Sequence, residues 1–164
     1  MQDILPDGGV IRKLWIGETD KYCDHLLRLD SASRHSRFGG AVSDDFIRNF
    51  VELSFSLDAV IHGFFVDGVM RGAAELRQLG VRFPRQAEAA ISVEKPWQSH
   101  GVGSALIRCT LLAARNRNFR LLQWPVWPRT AACSSLLASS MPNCPLISAA
   151  SSAKSNLGAP THCR

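Results

Sequence analysis

This chain contains no acidic residue after Glu94. All 14 Asp and Glu residues lie in residues 1–94, whereas residues 95–164 carry 8 of the 19 basic residues. An uncompensated basic half is typical of proteins that bind nucleic acid. No basic cluster alternates with aromatic residues at a spacing suited to base stacking, so this function is disfavoured. Arg115, Arg117 and Arg120 are interpreted instead as a solvated helix end, near an anionic cofactor.

Long apolar runs and a cysteine pattern are also lacking. No run approaches the ~20 residues that cross a bilayer, and residues 1–9 do not resemble a signal peptide. The five cysteines are odd in number and include no Cys-x-x-Cys pair, which indicates neither a disulfide framework nor a zinc site. We therefore expect a cytoplasmic protein with free thiols, no metal and one domain long enough to bury a core.

The most informative stretch is residues 91–107. An apolar segment that ends at Val93 leads through a turn into a glycine-containing loop, and a helix is predicted from Ser104. A loop of this kind leaves unpaired backbone N–H groups and the positive end of the helix dipole pointing in the same direction. The arrangement predicts an anion site suited to phosphate.

The spacing of the glycines distinguishes among the known phosphate loops. A nucleoside-triphosphate loop requires Lys and then Ser or Thr after its second glycine, whereas Gly103 is followed by Ser104 and Ala105. A dinucleotide loop requires an acidic residue about 20 positions further on, and none follows Glu94. The pattern that remains is Gln-x-x-Gly-x-Gly, which begins at Gln98.

The segment from Val93 to Gly103 closely resembles the acetyl-CoA loop of the GNAT superfamily of N-acetyltransferases. The resemblance covers residues 10–123 and implies a mixed, mostly antiparallel α/β sheet flanked by helices, in the order β-α-α-β-β-β-α-β. It implies acetyl-CoA as the co-substrate and no metal. The residues that it assigns to acetyl-CoA binding lie at the strand end and in the loop: Ile91, Ser92, Val93, Gln98, Ser99, His100, Gly101, Val102, Gly103 and Ser104.

The resemblance also implies a reaction, in which a primary amine of a small molecule or protein attacks acetyl-CoA directly in a ternary complex. Backbone N–H groups near Val93 would polarise the acyl carbonyl. Glu88 is the first candidate for the catalytic base and Glu75 the second, although either is also consistent with a polar residue on an open sheet face. The usual proton donor to the thiolate is a tyrosine, and the single tyrosine, Tyr22, is in the wrong place. The general acid stays unassigned.

The two histidines near these residues are interpreted as non-catalytic. His100 occupies a variable loop position that usually faces solvent, and His62 in the predicted hairpin is interpreted as structural. A homodimer is compatible with the resemblance.

Hydrophobic periodicity predicts the elements before the loop. A first strand is predicted at residues 10–16 and a helix with Tyr22, Leu26 and Leu29 on one face. Ser31–Gly40 is predicted to be a polar loop, and Ser43 to cap a second helix whose inner face carries Ile47, Phe50 and Val51.

Turn signals predict the elements around the loop. Asp67-Gly68 between two apolar runs predicts a hairpin of strands at residues 58–66 and 69–76, followed by a strand at residues 87–93. The helix after the loop is predicted to bury a stripe of Leu106, Cys109 and Ala113, and a further strand is predicted at residues 119–122.

Residues 124–164 differ in character from the acetyl-CoA-binding core predicted at residues 1–123. They are rich in Ser, Ala, Pro and Cys and show no sustained period of 3.6 or 2. They are interpreted as a poorly structured tail or, better, as the product of a frameshift after Gln123, because GC-rich codons read one base earlier restore acids and an amphipathic helix. Sequencing the encoding DNA tests the frameshift, which fails if no single-base slip near residues 122–124 restores such a frame.

Three functions remain open from the sequence. The chain is an active N-acetyltransferase, a catalytically dead acyl-CoA-binding remnant or, as the least favoured alternative, a basic nucleic-acid-binding module. The acceptor amine cannot be read, because the Ser31–Gly40 segment and the altered C-terminal part would determine it.

Overall fold

The computed structural model describes residues 5–56, 59–80, 85–124 and 147–148. Within these ranges, helices and strands follow one another in the order β-α-α-α-β-β-β-α-β-β. The helices are α1 (Thr19–Arg28), α2 (Ser31–Phe38), α3 (Asp44–Ser56) and α4 (Val102–Asn116). The strands are β1 (Val10–Lys13), β2 (Val60–Val66), β3 (Val69–Leu79), β4 (Gln86–Val93), β5 (Leu121–Gln123) and β6 (Ile147–Ser148).

The strands form one mixed sheet in chain order. Strands β1 to β4 pair antiparallel, whereas β5 lies parallel to β4 and β6 parallel to β5. The turn between β2 and β3 places Asp67 at a φ of 50° and Gly68 at a φ of 77°, as a type I′ hairpin turn requires. The predicted hairpin and the predicted mostly antiparallel α/β sheet are both confirmed.

The two faces of the sheet carry separate apolar cores. On the first face, α1 and α3 bury Tyr22, Leu26 and Ile47 against Ile61 and other residues of β2 and β3. On the second face, α4 packs against β2, β3 and β4. Because side chains alternate along a strand, β2 and β3 contribute to both cores.

The prediction of a polar loop at Ser31–Gly40 is wrong, because most of this segment is the helix α2. The Asp30 side chain caps the helix by accepting a hydrogen bond of 2.8 Å from the backbone N–H of Ser33, and Gly39 ends it at a φ of 75°. The only buried residue of α2 is Arg37. A helix that turns an arginine inwards has no apolar stripe, so its periodicity could not be recognised.

The first helices otherwise follow the sequence analysis. Tyr22, Leu26 and Leu29 are buried, and the Ser43 hydroxyl accepts a hydrogen bond of 3.2 Å from the backbone N–H of Phe46, which confirms the predicted cap. The first strand is shorter than predicted, because residues 16–18 form a 3-10 turn.

The later elements show shifts of one or two residues. Helix α4 begins at Val102 rather than Ser104, and β5 spans residues 121–123 rather than 119–122. Of the predicted stripe on α4 only Leu106 is fully buried, whereas Cys109 and Ala113 are intermediate. Compared with the predicted stripe, the buried face of α4 is rotated towards Ile107 and Thr110. The reason is that α4 packs against three strands and so buries a broad face.

Some expectations reach beyond the described residues. Cys23 and Cys109 are thiols that take part in no disulfide, as predicted, whereas the other cysteines lie outside the described ranges. The proposed frameshifted tail also lies outside them, except for Trp124 and the short strand β6. No helix in the described ranges is both long and apolar enough to cross a bilayer.

Close packing on the first face can be tested at Gly63 in β2. A Cβ atom at this position would lie 2.7 Å from the Phe65 ring and 2.8 Å from both Leu14 and Met70. All three side chains are buried, so we expect Gly63→Ala to lower the free energy of unfolding by about 1–3 kcal/mol through overpacking. Thermal denaturation would measure the change.

The matched control for this substitution is Gly17→Ala, because a Cβ at Gly17 meets no atom within 4 Å. Equal stabilities of the two variants would contradict the packing described for β2.

Candidate functional site

The second half of β4 has a strand neighbour on one side only, within the described residues. Strand β5 pairs with β4 at residues 86–88, whereas β3 pairs with it as far as Val93. The backbone N–H of Glu94 donates to the Arg71 carbonyl at 2.9 Å. Because hydrogen-bonding direction alternates along a strand, the N–H groups of Ile91 and Val93 point away from β3, towards the side where β5 no longer pairs.

The loop after β4 is attached both to the strand end and to α2. The Gln98 side-chain amide donates to the Val93 carbonyl at 2.9 Å and to the Ser33 hydroxyl at 3.3 Å. Gln98, the first residue of the glycine motif, thus holds the loop in a fixed position next to the unpaired edge of β4.

The N-terminus of α4 is open. Gly101 precedes it at a φ of 79°, with no side chain capping the helix, and the first helical bond runs from the Ala105 N–H to the Gly101 carbonyl at 3.0 Å. The N–H groups of Val102, Gly103 and Ser104 therefore have no partner within the helix. A Cβ added at Gly103 would meet nothing within 4 Å. These N–H groups lie at the positive end of a 15-residue helix, a position that favours an anion.

The remaining loop residues contribute mainly backbone. Ser99 and His100 are exposed, and the His100 ring donates through Nδ1 to the Gln98 carbonyl at 2.6 Å. The side chain of Val102 is buried in the second core, so only its N–H group can contact a ligand. The ten residues predicted to bind acetyl-CoA thus lie at the end of β4, in the loop that follows it or in the first turn of α4.

The two candidate bases lie on the first face in different surroundings. Glu88 accepts a hydrogen bond from Arg77 at 3.2 Å, and its side chain is 31% exposed. The Glu75 side chain is 4% exposed and accepts hydrogen bonds through Oε2 from Arg37 at 2.6 Å and from the Tyr22 hydroxyl at 3.0 Å. Glu75 is therefore part of a buried cluster, whereas Glu88 can be reached from solvent.

The cluster around Glu75 was not predicted. Burial raises the pKa of Tyr22 above its ordinary value, so the phenol keeps its proton and donates a hydrogen bond to Glu75. The three residues come from α1, α2 and β3, and no sequence pattern links them.

A second unpredicted cluster centres on His25 of α1, which is fully buried. Its Nε2 lies 2.9 Å from the Ser92 hydroxyl, and its Nδ1 lies 3.2 Å from Glu94 Oε1. Glu94 also accepts hydrogen bonds from Arg28 at 3.0 Å and from Arg71 at 3.1 Å. The only signal in the sequence was a histidine beside Leu26 on the apolar face of a predicted helix, a placement more often structural than catalytic.

Burial determines the charge of His25. It lowers the pKa of this imidazole below the ordinary value, and the hydrogen bond and negative charge of Glu94 oppose the shift only in part. Burial by itself would raise the pKa of Glu94. The hydrogen bonds from His25 and Arg71 outweigh this effect and lower the pKa. At neutral pH the pair is therefore a neutral imidazole and a carboxylate.

Metal binding finds no support in the described part of the chain, where no three His, Cys, Asp or Glu side chains are grouped as ligands.

His62 on β2 is partly buried, its Nδ1 has no hydrogen-bond partner within the described residues, and burial lowers its pKa.

Comparison with known proteins identifies the fold. No family model and no curated protein sequence matches the chain. Among solved structures, the GNAT domain of S. lividans PAT matches with a TM-score of 0.69 and 21% identity, over 84% of each chain. An aminoglycoside N-acetyltransferase in complex with CoA matches with a TM-score of 0.66 and 15% identity, over 93% of this chain and 98% of its own.

A third match is the ribosomal-protein-alanine N-acetyltransferase from Brucella melitensis, with a TM-score of 0.62 and 15% identity over 79% of this chain and 82% of its own. At such identities the likeness is one of fold. The chain has the fold of the GNAT superfamily of acetyltransferases, as the resemblance from Val93 to Gly103 predicts.

The buried ion pair between Arg37 and Glu75 gives a prediction about stability. Removing the guanidinium would leave a carboxylate uncompensated in the first core, so we expect Arg37→Met to lower the free energy of unfolding by about 3–5 kcal/mol. The double variant Arg37→Met with Glu75→Gln should recover part of this loss. Chemical denaturation would measure both changes.

The matched control is Arg77→Met, which breaks the partly exposed pair with Glu88. An exposed pair contributes about 0–1 kcal/mol. A similar loss in the two single variants would show that burial does not set the strength of the Arg37–Glu75 interaction.

Proposed function

We propose that this chain is an N-acetyltransferase that transfers the acetyl group of acetyl-CoA to a primary amine. One observation carries the proposal, namely that the open N-terminus of α4 lies beside the unpaired edge of β4. The N–H groups of residues 102–104 would bind the pyrophosphate, since they have no partner within the helix. The N–H groups of Ile91 and Val93 would bind the pantetheine arm and the acetyl carbonyl.

The arrangement suits acyl transfer because N–H groups aimed at the carbonyl oxygen stabilise the negative charge that develops there. The acceptor amine would attack the carbonyl carbon directly, in a ternary complex, and the CoA thiolate would leave. Such an attack needs the amine in its neutral form, so a base must take a proton from it. No side chain in the described ranges is assigned as the proton donor to the thiolate.

We favour Glu88 over Glu75 as this base. Its side chain is 31% exposed on the first face, whereas Glu75 is buried and bonded to Arg37 and Tyr22. The structural relatives named above include enzymes for aminoglycosides and for a ribosomal protein, which supports an amine acceptor in a small molecule or a protein. A cytoplasmic location remains a prediction from the sequence.

The second candidate function is binding of acyl-CoA without transfer. It is favoured by the position of Tyr22, the only tyrosine of the chain. This residue is fully buried and bonded to Glu75, so it cannot donate a proton to the thiolate. A protein that binds acetyl-CoA but transfers acetyl to no amine would have this function.

Calorimetric titration with acetyl-CoA tests the cofactor site. We expect saturable binding of roughly micromolar affinity that Gly101→Glu abolishes, because the new carboxylate would occupy the phosphate position. Gly68→Glu is the matched control, since both glycines have a positive φ and no atom within 4 Å of an added Cβ, but Gly68 lies in the hairpin turn. Equal binding by the two variants would rule out the proposed phosphate site.

The role of Glu88 is tested by measuring CoA release with acetyl-CoA and a panel of primary amines, including aminoglycosides and a peptide with an N-terminal alanine. For any amine that is acetylated, we expect Glu88→Gln to reduce turnover by about 10²–10⁴-fold without weakening acetyl-CoA binding. Unchanged turnover would remove Glu88 from the mechanism. Acetyl-CoA binding with no acetylated amine would favour the binding-only function.

A further inference from the structure

Three side chains, those of Ser92 and Glu94 at the end of β4 and of His25 in α1, are hydrogen-bonded one to the next. Ser92 Oγ is 2.9 Å from His25 Nε2, and His25 Nδ1 is 3.2 Å from Glu94 Oε1. A hydroxyl, an imidazole and a carboxylate in this order are the groups that activate a serine for nucleophilic attack. The acetyl transfer described above has no use for any of the three side chains.

The positions of the protons follow from the partners. A carboxylate can only accept hydrogen bonds, so His25 Nδ1 must carry the proton that faces Glu94. Because the imidazole is neutral, its Nε2 is then an acceptor and the Ser92 hydroxyl donates to it. This is the tautomer that a base needs in order to take a proton from serine.

The carboxylate is held in place on both of its oxygens. Arg28 donates to Glu94 Oε1 at 3.0 Å and to the Met70 carbonyl, and Arg71 donates to Glu94 Oε2 at 3.1 Å. Of the charged groups around His25, Glu94 favours the imidazolium, whereas Arg28 and Arg37 oppose it. Glu94 is the group that would stabilise an imidazolium formed when Ser92 gives up its proton.

The position of Ser92 connects this series with the cofactor site. Ser92 lies between Ile91 and Val93, whose N–H groups face the unpaired edge of β4, and consecutive Cα atoms are about 3.8 Å apart. A thioester carbonyl bound by these N–H groups would therefore lie about one residue from the Cα of Ser92, whose side chain, 6% exposed, projects onto the first face at the same strand edge. This step rests on the acetyl-CoA site proposed above.

We propose that Ser92, activated by His25 and Glu94, takes the acetyl group from acetyl-CoA when no amine is bound, and that water then releases it as acetate. Ser92 Oγ forms a bond to the carbonyl carbon while its proton passes to His25 Nε2. The carbon–sulfur bond breaks, and the thiolate takes that proton and leaves as CoA.

Water completes the cycle by the same route. Its oxygen attacks the acetyl ester while its proton passes to His25 Nε2, and the bond between carbon and Ser92 Oγ breaks. Ser92 Oγ recovers a proton from the imidazole, and acetic acid departs and loses its remaining proton to solvent as acetate, so the net reaction is hydrolysis of acetyl-CoA. An amine in the acceptor site competes with Ser92 for the same acetyl group.

The experiment incubates the full chain with acetyl-CoA without any amine and, separately, with p-nitrophenyl acetate, a small ester that does not need the CoA site. Peptide mass spectrometry would locate any acetyl group, and CoA or p-nitrophenolate release would give the rate. We expect acetylation at Ser92 and rates at least about 100-fold lower in Ser92→Ala and His25→Gln, as for loss of a catalytic nucleophile or base. Ser54→Ala is the control, because Ser54 is also a buried serine, and its hydroxyl donates to the Phe50 carbonyl.

The outcomes separate this proposal from the proposed function. If acetyl-CoA binds by calorimetry but neither donor acetylates Ser92 and Ser92→Ala releases product as fast as the parent, the serine has no nucleophilic role. If p-nitrophenyl acetate acetylates Ser92 but acetyl-CoA does not bind, the activated serine stands and the acetyl-CoA site fails. If neither acetyl-CoA binding nor acetylation of Ser92 occurs, both are overturned. Circular dichroism of His25→Gln would exclude unfolding as the cause of its lost reactivity. Ser92→Ala removes only one hydroxyl, so a loss of reactivity in that variant reports on the hydroxyl itself.

Discussion

The loss of the parallel neighbour of β4 after Glu88 is the constraint on which the rest of the site depends. A strand in the middle of a sheet uses its N–H and C=O groups on both sides, so it has none to offer a ligand. Here, within the described residues, the strand is paired on both sides only at its start. Its last residues keep a free edge, and the glycine loop turns the open end of α4 towards the same region.

Both faces of the sheet support this edge. On the second face, α4 lies against β2, β3 and β4 through Leu106 and Ile107, which fixes the direction in which its N-terminus points. On the first face, Gln98 joins the loop to α2 through Ser33. The loop that would bind a phosphate is therefore attached to the sheet on one side and to helix α2 on the other.

The first face carries an unusual amount of buried charge. Two carboxylates, Glu75 and Glu94, lie under α1 and α2 and are each bonded to arginine. Removing charges from water is costly, and the cost is recovered only where the partners and hydrogen bonds are well placed. Buried clusters of this kind give α1 and α2 a defined position, and they place His25 next to the one serine at the strand edge.

Much of the fold could be predicted because its signals are local. The Asp67-Gly68 turn, the cap at Ser43 and the Gln98–Gly103 spacing each depend on a few neighbouring residues, and the structure confirms the elements that they mark. Helix α2 was missed because Arg37 occupies the inner position where an apolar residue would have shown the period.

The division between sequence and tertiary structure follows from the range of the interactions. The sequence by itself determined the order of β1 to β5 and of α1, α3 and α4, together with the glycine loop, since backbone propensity and turn chemistry act over a few residues. Only the tertiary structure decided that Glu75 is buried with Tyr22 and Arg37, that Glu88 is reachable, and that His25 meets Ser92 and Glu94. Those residues are 50 or more positions apart in several pairs, so no local pattern could have shown their contacts.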